Sequence, residues 1–402
     1  MSGYREILRT PGVARIIAAQ LAARAPQGML SLCLLLHIER VHHSYGAAGL
    51  VLAAWCIGQA IAGPLTSRWM GAWGMRPVLW LTVSVCTVAL LVITLVPMPI
   101  PAQMAVGVLL GLSSPPIQPA VRTIYPKLVP SRSLTVLFSL DATAQEVIWL
   151  AGPVLATFIA TQVSTVVALL VCVAFLVGGG IWFNLLPEVA RVRIPRSTRR
   201  LGTVLRRPPV LIAFVIGFLL VASFAAMEAA VVSVFGDTDP RSGIVLALWS
   251  LASLAGGLVF GRLPMTRWSL ARRMLFVFVG AALTMAIMDF WWISGMLMIA
   301  GIGIAPALAV MSSQVSSSVR FSETAEAFGW TGMGQLIGAA LGSAIAGFLI
   351  DGTGSIGGFA VSTGFALVGL TAAIVFARWL PDLRHGTVGP RPDTEPVPVQ
   401  HA

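Results

Sequence analysis

The sequence predicts an all-α integral membrane protein, with twelve transmembrane helices in two pseudo-symmetric six-helix bundles. Three observations carry that expectation. Of the 402 residues, 57% are hydrophobic and only 10% charged, where a soluble domain has about 25% charged residues, so too few charges remain to keep a surface wet. Apolar stretches of about 20 residues, the length that crosses a bilayer core, recur along nearly the whole chain. A stretch from the first half also reappears in the second.

Residues 1–11 are a short polar N-terminus. They do not read as a cleavable leader, because the first span is too long for one and Arg24 interrupts it. The spans then follow at 12–37, 46–66, 78–97, 102–124, 135–160, 165–187, 209–233, 243–261, 274–292, 294–317, 327–350 and 356–379. Turn signals separate them, as in "VPMPIP" (96–101), "FGDTDPRSG" (235–243) and "DGTGS" (351–355). The first six spans make an N-terminal bundle (12–187) and the last six a C-terminal bundle (209–380), joined by a basic linker at 188–208. The tail, 381–402, is Pro-rich and polar and is expected to be disordered.

Charge sets the orientation. With both termini in the cytoplasm, Lys and Arg should crowd the even-to-odd loops and the tails. Of 26 basic residues, 23 fall there or at the helix ends beside them, the exceptions being Arg24, Arg40 and Arg241. The +11 net charge is thus a topology signal, and no polar basic domain exists that would bind nucleic acid. Seven arginines stand in the linker, which reads as solvated and touching anionic lipid heads. Arg is used almost to the exclusion of Lys, since Lys127 is the only lysine, and Ala and Gly are abundant. That usage points to a high-GC bacterial genome and a plasma (inner) membrane.

The repeat pairs "GLVLAAWCIGQAIAGPLTSR" (49–68) with "GIVLALWSLASLAGGLVFGR" (243–262) without gaps. Trp55/Trp249, Gly63/Gly257 and Arg68/Arg262 are among the seven identities. A weaker echo links "GLSSPP" (111–116) with "GIGIAP" (301–306). Repeated halves allow a site between them to face either side as they rock. Pro115, Pro116, Pro119 and Pro306 are expected to interrupt spans 4 and 10.

Twelve spans, a 6+6 repeat and a long middle loop resemble the major facilitator superfamily over residues 12–380. In "SRWMGAWGMRPVL" (67–79), Gly74 and Arg76 match the family's motif A, whereas Ser67, Gly71, Ala72 and Met75 depart from it. The missing motif Asp puts the family's usual cytoplasmic latch in doubt. Gly152-Pro153 is similar to the end of the antiporter motif C, and "SETAEAFGW" (322–330) resembles efflux-type members from actinobacteria. The resemblance implies a monomeric secondary transporter, leaning to proton-coupled efflux of a small amphipathic compound.

Charged side chains inside a bilayer cost at least ~2.5–3.5 kcal/mol each, so each needs a partner, a wet cavity or a function. Glu146 is expected at the midpoint of span 5 as a proton-binding carboxylate with Arg24 nearby. The alternative is a permanent Arg24–Glu146 pair. Glu228 in span 7 is a second proton candidate. Asp141 is expected to meet Arg262 when the cytoplasmic side closes, mirrored by Arg68 meeting Glu323 or Glu326. A fixed Arg122–Asp141 pair is equally open. Gln20, Gln27, Ser114, Gln118 and Gln314 are the polar candidates for contact with cargo, and their scarcity favours an amphipathic compound over a sugar. Asp289 reads as an interface residue, and His42 and His43 as a solvated pair in the first outer loop.

The four cysteines stand at unrelated spacing, so neither a disulfide framework nor a metal site is expected. No catalytic constellation or phosphate loop occurs, so neither an enzyme nor a cofactor is expected. Two readings compete with efflux: a proton-coupled importer or uniporter of a small metabolite, and a transporter-like sensor.

Overall fold

The computed structural model describes residues 2–195, 200–235, 240–261, 263, 265–383 and 389–393. After a helix at Ser2–Arg9, the first half comprises α1 (Val13–His42), α2 (Tyr45–Trp73), α3 (Met75–Leu95), α4 in two pieces (Ile100–Leu112 and Ile117–Leu128), α5 (Ser131–Gln162) and α6 (Thr165–Leu185). The second comprises α7 (Pro208–Phe235), α8 (Pro240–Phe260), α9 (Ser269–Thr284), α10 (Phe290–Ser318), α11 (Thr324–Thr353) and α12 (Ser355–Val375). Among the described residues, eleven helices are long and apolar enough to cross a membrane. The twelfth, α9, has 16 residues, about 24 Å of rise.

Short polar caps set the hairpins. Ser44 accepts from the Ala47 N–H at the start of α2, and Ser164 from the Val167 N–H at the start of α6. Asp289 accepts from the Trp291 and Trp292 N–H groups at 2.9 and 3.3 Å, so α10 begins at Phe290. This corrects the expected ninth span, which ends at Thr284 and not at residue 292. Trp292 belongs to the next helix and reaches back to donate its indole N–H to the Leu283 carbonyl at 2.8 Å. Asp289 is therefore a cap. His42 is not in a loop either: it ends α1 and meets the buried Gln103 at 3.0 Å.

The expected interruption holds for one helix and fails for the other. α4 breaks at Ser113–Pro116, where two consecutive prolines remove donors. α10 runs unbroken through Pro306. There the neighbouring Ala305 N–H donates to Ser253 Oγ on α8 at 3.2 Å.

Within each half, α2 packs on α4 as α8 packs on α10. The sequence repeat marks these crossings: a Cβ on Gly301 would lie 2.5 Å from the Trp249 carbonyl oxygen, and one on Gly111 would collide with the Trp55 carbonyl. On α11, Gly334, Gly338 and Gly342 sit against the carbonyls of Phe214, Phe218 and Ala222, so the stripe lets two backbones touch.

An even number of spans puts the N-terminal helix, the linker and the tail at one end, the basic end. Here Arg76 donates to the Asn184, Leu185 and Leu186 carbonyls at 3.0–3.3 Å, capping the C-terminus of α6. Gly74 turns the chain between α2 and α3 at φ +92°, a conformation that favours glycine. Part of the tail is ordered, against expectation. Arg391 pairs with Val319 and Phe321 through two backbone hydrogen bonds, and Asp393 accepts from the Ser322 N–H and hydroxyl. The pairing satisfies backbone groups in the α10–α11 turn that would otherwise need water.

Candidate functional site

Three helices of the first half turn one polar face inward, each at one-turn spacing. α1 contributes Gln20, Arg24 and Gln27; the second piece of α4 contributes Gln118, Arg122 and Tyr125; α5 contributes Asp141 and Gln145. Spacing of three or four residues stacks side chains on one side of a helix. The faces meet at Asp141, which is fully buried. Its Oδ1 accepts from Gln20 Nε2 at 2.6 Å and the Tyr125 hydroxyl at 2.9 Å, and its Oδ2 from Gln145 Nε2 at 3.0 Å and Arg122 Nε at 3.4 Å. These four donors fill the positions a carboxylate offers.

Arg24 stands one layer further from the basic end. Its guanidinium donates to Gln145 Oε1 at 2.8 Å, Gln20 Oε1 at 3.2 Å and Gln27 Oε1 at 3.3 Å. Gln20 and Gln145 thus relay between Arg24 and Asp141, each accepting from one and donating to the other. Arg122 is held by Asp141 and, with the amide oxygen of Gln118 turned toward it, by Gln118 at 2.8 and 3.1 Å. Its guanidinium also lies 5.4 Å from the Phe328 ring centre on α11, a cation–π contact across the halves.

Glu146 does not join Arg24. One residue along a helix turns the side chain by about 100°, so Gln145 faces α1 and Glu146 faces α8. There its Oε1 accepts from Ser253 Oγ at 2.9 Å. Ser253 was not singled out from the sequence, because a serine in an apolar run carries no signal of its partner.

The halves meet around this point. Ser139 donates to the Gly257 carbonyl at 2.7 Å, and Thr143 lies where a Cβ on Gly257 would stand. The repeat-related Gly63 on α2 meets Gly329 on α11, where a Cβ on Gly329 would lie 2.5 Å from the Gly63 carbonyl oxygen. Nearer the basic end, Arg68 lies 3.3 Å from Glu326, whose other oxygen accepts from the linker Gly202 N–H at 2.8 Å. Glu323 meets a linker residue, Arg207, at 2.8 Å, and Lys127 lies over the Phe321 ring at 4.3 Å. These contacts all lie in the basic half of their helices, so the halves touch there.

The remaining candidates scatter. Glu228 is exposed, one turn beyond Phe224, whose ring stacks on Trp249 at 4.5 Å. Ser114 sits half-buried at the α4 break. Gln314 is buried in the second half with neither amide atom hydrogen-bonded. Arg262 lies outside the described residues. Among those described, no three His, Cys, Asp or Glu side chains cluster to hold a metal.

The family model "Major Facilitator Superfamily" matches residues 16–288 and 226–401. No curated protein matches the chain. Among solved structures, a bacterial homologue of the iron transporter ferroportin in an outward-facing state superposes with a TM-score of 0.73 at 14% identity, covering 91% of this chain and 99% of that one. The human organic anion transporter MFSD10 (TETRAN) gives 0.70 at 16%, covering 90% and 100%. At these identities the likeness is one of fold.

Proposed function

Because the chain belongs to the Major Facilitator Superfamily, a multi-pass membrane family of small-molecule transporters, we propose that it moves a small amphipathic compound outward by alternating access, in exchange for protons. The basic end faces the cytoplasm of a bacterial plasma membrane, and the state described is closed on that side. Glu146 is the proton-binding group.

One observation carries this reading. Glu146 lies at the midpoint of α5, buried, and its hydrogen bond to Ser253 joins the two halves where they meet. Opening the basic end breaks that bond and changes the carboxyl group's surroundings, so its proton affinity follows the conformation. Such coupling of protonation to opening is what a proton-driven carrier requires. Gly152-Pro153 supports the efflux direction through the antiporter resemblance: a Cβ on Gly152 would lie 2.6 Å from the Gly28 carbonyl, so the pair brings α5 and α1 into backbone contact.

The test uses everted vesicles with an imposed proton gradient and a panel of amphipathic dyes and drugs. Wild type dissipates the gradient on adding a substrate, and Glu146→Gln does not. A variant that matches wild type leaves Glu146 structural and makes Glu228 the next candidate. A second reading, proton-coupled import, is favoured by the surplus positive charge beside Asp141, which a co-transported anion would balance. Accumulation in right-side-out vesicles distinguishes it, and ligand binding without accumulation in either orientation identifies a sensor.

A further inference from the structure

The buried polar tract of the first half is not electrically balanced. Asp141 is its one carboxylate, and it faces two guanidinium groups. Its four acceptor positions are filled by Gln20, Tyr125, Gln145 and Arg122, with none left for Arg24. Glu146, the next acid along α5, is directed to Ser253 on the other half.

Arg24 is therefore a buried cation, 3% exposed, whose three hydrogen-bonded acceptors are neutral amides. A guanidinium has five N–H donors in a planar fork, so two remain for another acceptor. Leaving a buried charge without a counter-charge is strongly unfavourable, and the position recruits an anion if one can reach it. Gln27, which accepts from Arg24 Nε, is half-buried where Arg24 is buried, and lies one turn further from the basic end.

We propose that Arg24 is the docking point for a single anionic group, a carboxylate or a phosphate monoester, on the transported molecule. Gln27 is its neighbouring neutral contact. The apolar body of the same molecule lies on the Gln27 side of Arg24, toward the end opposite the basic one. This deepens the transport reading and rests on it, but not on the direction of transport.

The experiment measures binding to the purified protein in nanodiscs by thermal shift and by titration. Four probes share one ring system: 1-naphthoate, 1-naphthyl phosphate, the neutral 1-naphthamide and 1-naphthylmethylamine. Wild type is expected to bind at least one of the two anions about tenfold to a hundredfold more tightly than the amide, the range of one charged hydrogen-bonding contact. Which anion binds more tightly identifies the headgroup.

Arg24→Gln is expected to remove that preference and leave amide binding unchanged, while Arg24→Lys, which keeps the charge but loses the planar fork, retains part of it. Should Arg24→Gln fail to fold, the comparison of wild type with Arg24→Lys carries the same test. A wild type that binds acid and amide alike, or binds none of the four, overturns the proposal. So does an Arg24→Gln variant with its anion preference intact. Anion binding that depends on Arg24, without transport in sealed vesicles, overturns the transport reading and leaves the anion subsite standing.

Discussion

The two halves share a frame but differ in what fills it. Both cross α2 over α4, or α8 over α10, at a tryptophan carbonyl set against a glycine. Inside the first half lies a connected tract of two arginines, an aspartate, four glutamines and a tyrosine. At the matching depth the second half holds a small apolar cavity between Leu220, Trp249, Val277 and Ile304. Its polar contribution is the Ser223–Ser362 pair, 3.0 Å apart. The repeat thus doubles the frame without doubling what fills it. The connected tract of buried charge lies in the first half, and the second half meets Glu146 through one hydroxyl, that of Ser253.

The largest break in this contrast should come from Asp141→Asn. Arg122 then loses its paired carboxylate, and breaking a buried pair costs about 3–5 kcal/mol. Thermal unfolding in detergent should fall accordingly, and by more than for Arg24→Gln, which removes the surplus cation. Equal losses would mean that the tract is held by packing and not by charge.

Next comes Gly329→Leu at the meeting of the halves. The side chain has no room against the Gly63 backbone, and overpacking of this kind costs roughly 1–3 kcal/mol. Distances between spin labels at the basic ends of α2 and α11 should lengthen in most molecules, and an unchanged distribution would show that this crossing does not govern closure. A smaller effect is expected from Ser362→Ala. It removes one neutral hydrogen-bonded hydroxyl and should lower stability by about 1 kcal/mol, without touching transport. Loss of transport there would move part of the chemistry into the second half.

The smallest effect belongs to Arg68→Ala. Its pair with Glu326 has one partly exposed partner, and such pairs are worth about 0.2–1 kcal/mol. Spin-label distances should shift slightly toward the open basic end. A shift as large as that of Gly329→Leu would make the ion pair the principal latch.

Much of the frame was legible without coordinates. Span length and hydropathy are local properties, so the helices appear where apolar runs of bilayer length stand. Their boundaries failed where a side chain decided the matter, as when the Asp289 cap gave Trp292 to α10. Proline showed the same limit. Two in succession break α4, while Pro306 alone sits in a helix whose neighbour lends Ser253. Of the site, Asp141, Arg24, Arg122 and Glu146 stood out, because a charge in an apolar run cannot be hidden. Gln145 and Tyr125 were readable from their one-turn spacing to Asp141 and Arg122 but carry no charge to draw attention.

By itself, then, the sequence determined the number of spans, the doubled architecture, the basic end and the set of intramembrane charges. Each follows from composition along a stretch of chain. Only the tertiary structure decided which group answers which charge. Two neighbours on a helix differ by about 100° in direction, so Gln145 meets Arg24 within its own half, while Glu146, the next residue, crosses to Ser253 in the other.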